Sequence, residues 1–183
     1  MGFSMANFSL EVDRLVEFSE QMRLSEAALK KAIISAISKT LRGSFSRAKR
    51  TMGQETRVLE RVLAHKVFLW QPNEKKTYGI MNILTYSVPA ILAASKVSES
   101  GGGVSVNGRF FRGAFINFAD RKRGSARRFV FVRQGGNKFP LFEERIGIKK
   151  AADRAILQER SEVSSRLINA LEREIKLRAG LFD

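Results

Sequence analysis

Cysteine is absent from the 183 residues, which removes disulfides, thiolate nucleophiles and cysteine-based metal sites together. Histidine occurs once, as His65, so two-histidine motifs and histidine-rich metal sites are excluded as well. Long apolar runs are missing: the longest mostly apolar stretch, residues 86–94, falls far short of the ~20 residues of a membrane helix. Near the N-terminus Glu11, Asp13 and Glu17 interrupt the apolar residues, so no signal peptide is expected. These absences predict a chain made in a cytoplasm-like compartment, with no membrane partner. Acid is scarce too, with 18 Asp+Glu against 33 Lys+Arg and a formal net charge of +15. Such an excess repels itself in a free monomer and points to a polyanionic or acidic partner. Hydrophobic residues at 44% and charged residues at 28% give the balance of a globular protein. A chain of this length fits one domain and can bury roughly 70% of its unfolded surface.

Along the chain, residues 10–22 mix apolar and acidic residues at loosely helical spacing, with Ser9 as a candidate cap. A second helix is expected after Ser25, with Glu26 in its first turn. Leu29, Ile33, Ile37, Leu41 and Phe45 step by four with Ala32 and Ala36 alongside, which predicts one wide buried stripe. Continuous to Arg50, that helix is about 39 Å long at ~1.5 Å per residue, and Gly43 is a candidate break. Thr51 and Gln54 read as a capping box opening a short third helix, with Val58, Leu59, Val62 and Leu63 on its buried side. The period then changes. Residues 66–70 and 78–84 predict a hairpin around a turn at Asn73.

Residues 98–103 are expected to be a flexible connector. After them come short strands at 104–106 and 109–112, joined at Asn107-Gly108, the strongest short-range hairpin signal. A basic loop over 121–128 precedes a strand at 128–133 and a turn at 134–137. From 149 to 179 the chain turns helical again, with Ala152, Ile156, Val163, Leu167, Leu171 and Ile175 as a narrow seam and Gly180 as its stop. The architecture expected is α+β: N-terminal helices, a mostly antiparallel β-sheet with hairpins, and a long C-terminal helix.

Residues 101–141 resemble the signature region of the prophage minor tail protein Z family, the lambda-like tail completion proteins. There a glycine-rich loop leads to a hairpin and then to a phrase matched here by Arg109, Phe110, Phe111, Arg112, Gly113, Ala114, Phe115 and Ile116. A strand ending in Arg133 and a basic-aromatic-proline-apolar step through Pro140 follow in the same order. Arg112 stands where the family usually carries proline. The resemblance implies one tail completion domain over 1–183, with a helical part at 1–63, a β-rich part at 64–146 and a C-terminal helix at 148–180. It implies a non-enzymatic structural protein of the virion tail or neck, assembled in the host cytoplasm and needing no cofactor. Its implied partners are the tail terminator or tail tube protein and the head–tail connector. A homo-oligomeric ring around the DNA path is also implied, with six subunits by the class of object.

Each candidate residue has a plainer reading beside the functional one. Residues 113–118 form either an interface hairpin or a bend with Phe115 and Phe118 in the core. Arg121, Lys122, Arg123, Arg127 and Arg128 meet DNA phosphates or an acidic rim, or are simply solvated. Arg42, Arg47, Lys49 and Arg50 suit a helix C-terminus without any partner. The three glycines at 101–103 lack the lysine and hydroxyl of a phosphate loop and read as a hinge. Glu143 and Glu144 point to opposite faces of an extended segment, which excludes a carboxylate pair. His65 is expected half-buried; Trp70 is expected in the core, with an interface anchor as its other reading, and the terminal helix on its own sheet, with another subunit as the alternative. A non-sequence-specific nucleic-acid-binding protein is the rival function, motivated by charge. No nucleophile–base pair or metal-ligand set can be drawn, so no enzyme is expected.

Overall fold

The computed structural model describes residues 25–119, 127–133, 135 and 140–180. The helix expected over 10–22 lies outside them. In chain order the elements are α1 (Glu26–Thr56), α2 (Glu60–Ala64), β1 (Val67–Trp70), β2 (Ile80–Ile83), β3 (Val88–Pro89), β4 (Val97–Ser100) and β5 (Gly103–Val106). Then follow β6 (Arg109–Arg112), β7 (Ala114–Ala119), β8 (Arg127–Arg133), β9 (Leu141–Glu143), β10 (Arg145–Ile146) and α3 (Lys149–Arg178). The strands form four small sheets, ordered β1-β2, β10-β3, β4-β5-β6 and β7-β8-β9. The protein is therefore α+β, with a long helix at each end of the described chain. No helix among the described residues is long and apolar enough to cross a membrane.

Helix α1 starts where Ser25 Oγ accepts the Ala28 amide at 3.3 Å, a serine cap that satisfies one orphan donor. It then runs for 31 residues, through Gly43 and through the expected capping box at Thr51. The reason lies in its buried line. Ala32, Ala36, Thr40, Ser44, Ala48, Met52 and Thr56 are all buried at strict four-residue spacing, so burial is uninterrupted where a break was expected. The large residues Leu29, Ile33, Ile37, Leu41 and Phe45 lie alongside that line, half-buried. Each four-residue step turns the buried line by about 40°, so the helix buries a different side near each end. Arg57, at φ +57°, ends it in a left-handed conformation, and its amide returns to Gly53 O at 2.8 Å.

The chain forms two compact units. The first contains the described residues up to Arg47, Phe68–Asn82 and those from Ile156 onward. In it the β1-β2 hairpin closes on α1 at Gly79, where a β-carbon would sit 2.1 Å from Leu41 Cδ1 and 3.4 Å from Ile37 Cγ2. Asn73 fixes the hairpin loop by accepting the Lys75 and Lys76 amides at 3.0 and 2.9 Å. Trp70 is 64% exposed, contrary to the expected core role, because its strand alternates and that face carries no cover among the described residues.

Helix α3 lies antiparallel to α1 in this unit, and charged groups join them. Glu159 and Glu174 are only 5% and 3% exposed. Arg47 Nε and Nη2 donate to the two Glu159 oxygens at 2.9 Å each, and Arg166 Nη1 adds a bond at 3.1 Å. Glu174 is held by Lys39 from α1 and Arg178 from α3, and Arg178 also reaches Lys31 O at 3.4 Å. Arg47 is thus mid-helix and ion-paired, which corrects its reading as a C-terminal cation. Of the apolar seam expected on α3, Ala152 and Ile175 are buried and Val163, Leu167 and Leu171 half-buried, while Ile156 is 41% exposed and the two glutamates take buried places as well. Its partner here is α1, where its own sheet was expected.

The second unit holds Ala48–Val67 and Ile83–Ala155. Its core gathers Met52, Val58, Leu63, Val88, Val104, Val106, Val130, Ile146 and Ile148. The expected connector at 98–103 is instead a hairpin. Strand β4 pairs with β5 from Val97↔Val106 to Ser100↔Gly103, and Gly101 and Gly102 turn at φ +55° and +80°. Both signs suit a two-residue turn that only glycine makes without strain. His65 caps α2 and is exposed, also contrary to expectation, since the chain leaves the helix there at the surface.

Burial by itself raises the carboxyls of Glu159 and Glu174, yet both titrate below the ordinary value of 4.5. Hydrogen bonds from Arg47 and Ser44 reverse the burial effect at Glu159, and those from Lys39, Arg178 and Ser35 reverse it at Glu174. A carboxyl held below its unfolded value contributes stability in full above that value, and loses it as pH falls through the folded value. Urea midpoints are accordingly expected to drop as the pH is lowered from about 4.5, with a shallower slope in Glu159→Gln. Arg47→Met should cost about 3 kcal/mol by stranding part of a buried charge, while Arg47→Met with Glu159→Met should be near neutral. Urea denaturation at pH 7 separates the two.

Candidate interaction surface

Within the second unit the residues of the Arg109–Ile116 phrase fall on two neighbouring three-stranded sheets. Strand β6 pairs with β5 from Val106↔Arg109 to Gly103↔Arg112, and it is an edge strand. Alternation puts Phe111 on the face shared with buried Val104, and Phe110 and Arg112 on the other. Phe110 is 52% exposed and lies across Gly103, where a β-carbon would sit 2.5 Å from its ring. Its face is otherwise lined by Ser98, Ser100 and Ser105 through the ladder register. One aromatic ring and one guanidinium therefore stand out from a rail of small polar side chains.

Register on this face is set by the Asn107-Gly108 turn. Asn107 has φ +48° and Gly108 φ +77°, the primed turn expected from sequence. The Asn107 side chain does far more than turn the chain. Its Nδ2 donates to Arg57 O at 2.9 Å and Ala93 O at 2.7 Å. Its Oδ1 accepts from Ser95 N and Oγ at 2.9 Å each and from Lys96 N at 3.2 Å. Arg57 Nη1 in turn donates to Gly108 O at 3.2 Å. The turn is thereby tied to the end of α1 and to the segment before β4. A cleft of about 550 Å³ beside it is lined by Arg57, Glu60, Lys96 and Gly108 among others.

Gly113, at φ +70°, carries the chain from β6 into β7, and its amide donates to Gly102 O at 2.7 Å. Residues 114–119 are a strand and not a bend. Strand β7 pairs with β8 from Ala114↔Val132 to Ala119↔Arg127, and β8 pairs with β9. Ala114 and Val130 face the core, with Ile116 and Val132 on the same side by alternation. The opposite face gathers Phe115, Phe129 and Phe131, each half-buried. Phe129 stacks on Phe131 at 5.7 Å and Phe115 tilts against Phe131 at 6.4 Å. The exposed Arg133 guanidinium lies 4.9 Å from the Phe115 ring centre, a cation–π contact.

Of the residues singled out from sequence, Arg109 to Arg112 and Ala114 to Ile116 thus come together on adjoining sheets, and Arg133 joins the second. Pro140 is exposed just before β9 and does not join either cluster. Arg121, Lys122 and Arg123 lie outside the described residues, and Arg127 and Arg128 are the first two residues of β8. Sequence reasoning missed Arg57 and the Asn107 side chain as organisers. The signal available for Asn107 was its turn dipeptide, which says nothing about bonds to residues 50 positions away.

Asn107→Ala should destabilise the protein by about 3 kcal/mol, from lost hydrogen bonds and a left-handed conformation that alanine resists. Asn107→Gly, which keeps the conformation and loses only the bonds, should cost less, and chemical denaturation of the pair measures the difference. No family model matches this chain, and no curated protein or solved structure matches it.

Proposed function

We propose that the chain is a structural, non-enzymatic tail completion protein of a tailed bacteriophage, acting at the head-proximal end of the tail. The observation that carries the reading is edge strand β6, where Phe110 and Arg112 project outward from the resembling phrase. An edge strand offers unpaired backbone groups to another chain. An exposed aromatic beside arginine is the kind of anchor that interfaces use. The net charge of +15 supports an acidic neighbour, and the same arginines oppose pairing of β6 with a free copy of itself. The partners proposed are the tail terminator or tail tube protein and the head–tail connector, with assembly as a ring in the virion.

Purified protein mixed with terminated tails tests this by electron microscopy. Wild type is expected to add at the head-proximal end, while Phe110→Asp, folded by circular dichroism, loses addition at least tenfold. A strict monomer that never adds to tails contradicts the proposal. The aromatic face of β7-β8-β9 with Arg133 favours a second reading, non-specific binding of nucleic acid, since bases stack on such platforms. That reading predicts tight duplex or single-strand binding with a steep salt slope. A gel-shift series over salt discriminates, the assembly reading expecting only weak retention.

A further inference from the structure

The backbone of strand β6 carries a pattern that its side chains alone do not reveal. Across a two-residue turn the flanking residues, here Val106 and Arg109, exchange both backbone hydrogen bonds, and such pairs recur at every second position. The Gly113 amide, bonded to Gly102 O at 2.7 Å, fixes the same parity at the other end of the strand. Arg109, Phe111 and Gly113 therefore turn their N–H and C=O inward to β5. Phe110 and Arg112 turn theirs to the open side, where the strand order ends at β6. Among the described residues nothing meets those outward groups.

The neighbouring edge is closed in a way that this one is not. Strand β7 also lies at the edge of its sheet, yet the Glu99 carboxylate covers it by accepting the Ile116 amide. Strand β6 contains no proline, and its four residues pair with β5 in unbroken register, so neither proline nor bulge blocks an incoming strand. Its aromatic ring does not hang over the edge either. Phe110 leans inward across β5, its ring 2.5 Å from where a β-carbon of Gly103 would stand. What β6 does carry is positive charge: Arg109 and Arg112 have no carboxylate partner among the described residues.

We propose that β6 takes a fourth, antiparallel strand from an extended acidic segment of its assembly partner. Phe110 and Arg112 each exchange two backbone hydrogen bonds with the residue opposite. Directly opposed side chains lie on one face about 5 Å apart. The segment therefore carries an acid against Arg112 and, two residues on, an apolar side chain against Phe110. The residue between them faces Phe111 and is apolar, and a second acid meets Arg109. From its N-terminus the segment reads acid, apolar, apolar, acid. A second copy of this chain is disfavoured by its own net charge of +15. This strand addition rests on the assembly reading of β6 and adds the partner's chemistry to it.

A synthetic peptide with glutamate-valine-valine-glutamate at its centre is titrated into the full chain, and amide hydrogen exchange is followed by NMR. In the free chain the Phe110 and Arg112 amides exchange fast, and those of Arg109 and Phe111 slowly. The peptide is expected to slow the first two at least tenfold and to leave the second two nearly unchanged. Methylating the nitrogen of the second valine, which faces β6, should weaken binding at least tenfold, whereas methylating the first, whose N–H points away, costs little. Arg112→Glu should lose this peptide and gain one with lysine in place of the first glutamate. No protection of Phe110 and Arg112 at any peptide concentration, or equal binding of the two methylated peptides, overturns the added strand. Protection that rises with protein concentration alone assigns the edge to a second copy and overturns it too. Tails that take up wild type while the peptide leaves β6 unprotected refute only the strand addition. A chain that binds the peptide and ignores tails supports the strand addition and refutes the assembly reading.

Discussion

A two-residue turn permits one register and no other, and the surface of the second unit depends on that restriction. Shifting β6 by one residue would bury Phe110 and Arg112 and expose Phe111 and Arg109. The Asn107-Gly108 turn prevents the slip through its backbone, and the Asn107 amide secures it against the end of α1 and residues 93–96. A left-handed asparagine is tolerable because its own side chain repays the strain with bonds to buried or turning backbone. Arg57 completes the arrangement from the other side, left-handed itself and bonded to Gly108. Two strained residues thus hold each other, and the aromatic edge inherits its orientation from them.

Charge is distributed between two uses. In the first unit exposed or half-buried cations close over carboxylates that are almost fully buried on α3. Such pairs are costly to desolvate and contribute little net stability, but breaking one side is severe. They fix which sector of α1 meets α3 more sharply than a purely apolar seam of small residues would. In the second unit Arg112 and Arg133 stand exposed beside phenylalanine. Among the described residues neither is paired with a carboxylate, which is why that surface, and not the helix pair, is the place to seek a macromolecular partner.

Much of this was legible in the amino-acid order, and the limits have physical causes. The α+β class, the Ser25 start of α1, both hairpins around Asn73 and Asn107, and the stop at Gly180 follow from local chemistry acting over a few residues. The breaks expected at Gly43 and Thr51 fail because an unbroken buried line outweighs a glycine cost of about 1 kcal/mol. Trp70 was assigned inward because it is large and apolar, but alternation on a two-stranded sheet decides its side. Glu159 and Glu174 fall outside the apolar period of α3, so nothing local marks them for burial. Their burial depends on Arg47 and Lys39, more than 100 residues away, a pairing that periodicity cannot announce.

The proposed role rests on β6 as the strand that meets a neighbour. A cryo-EM map of the assembled particle tests that most directly. The account predicts this chain at the head-proximal end of the tail, with Phe110 and Arg112 buried against an adjoining subunit. Absence of the chain from the particle, or a resolved copy with β6 facing solvent, would contradict it.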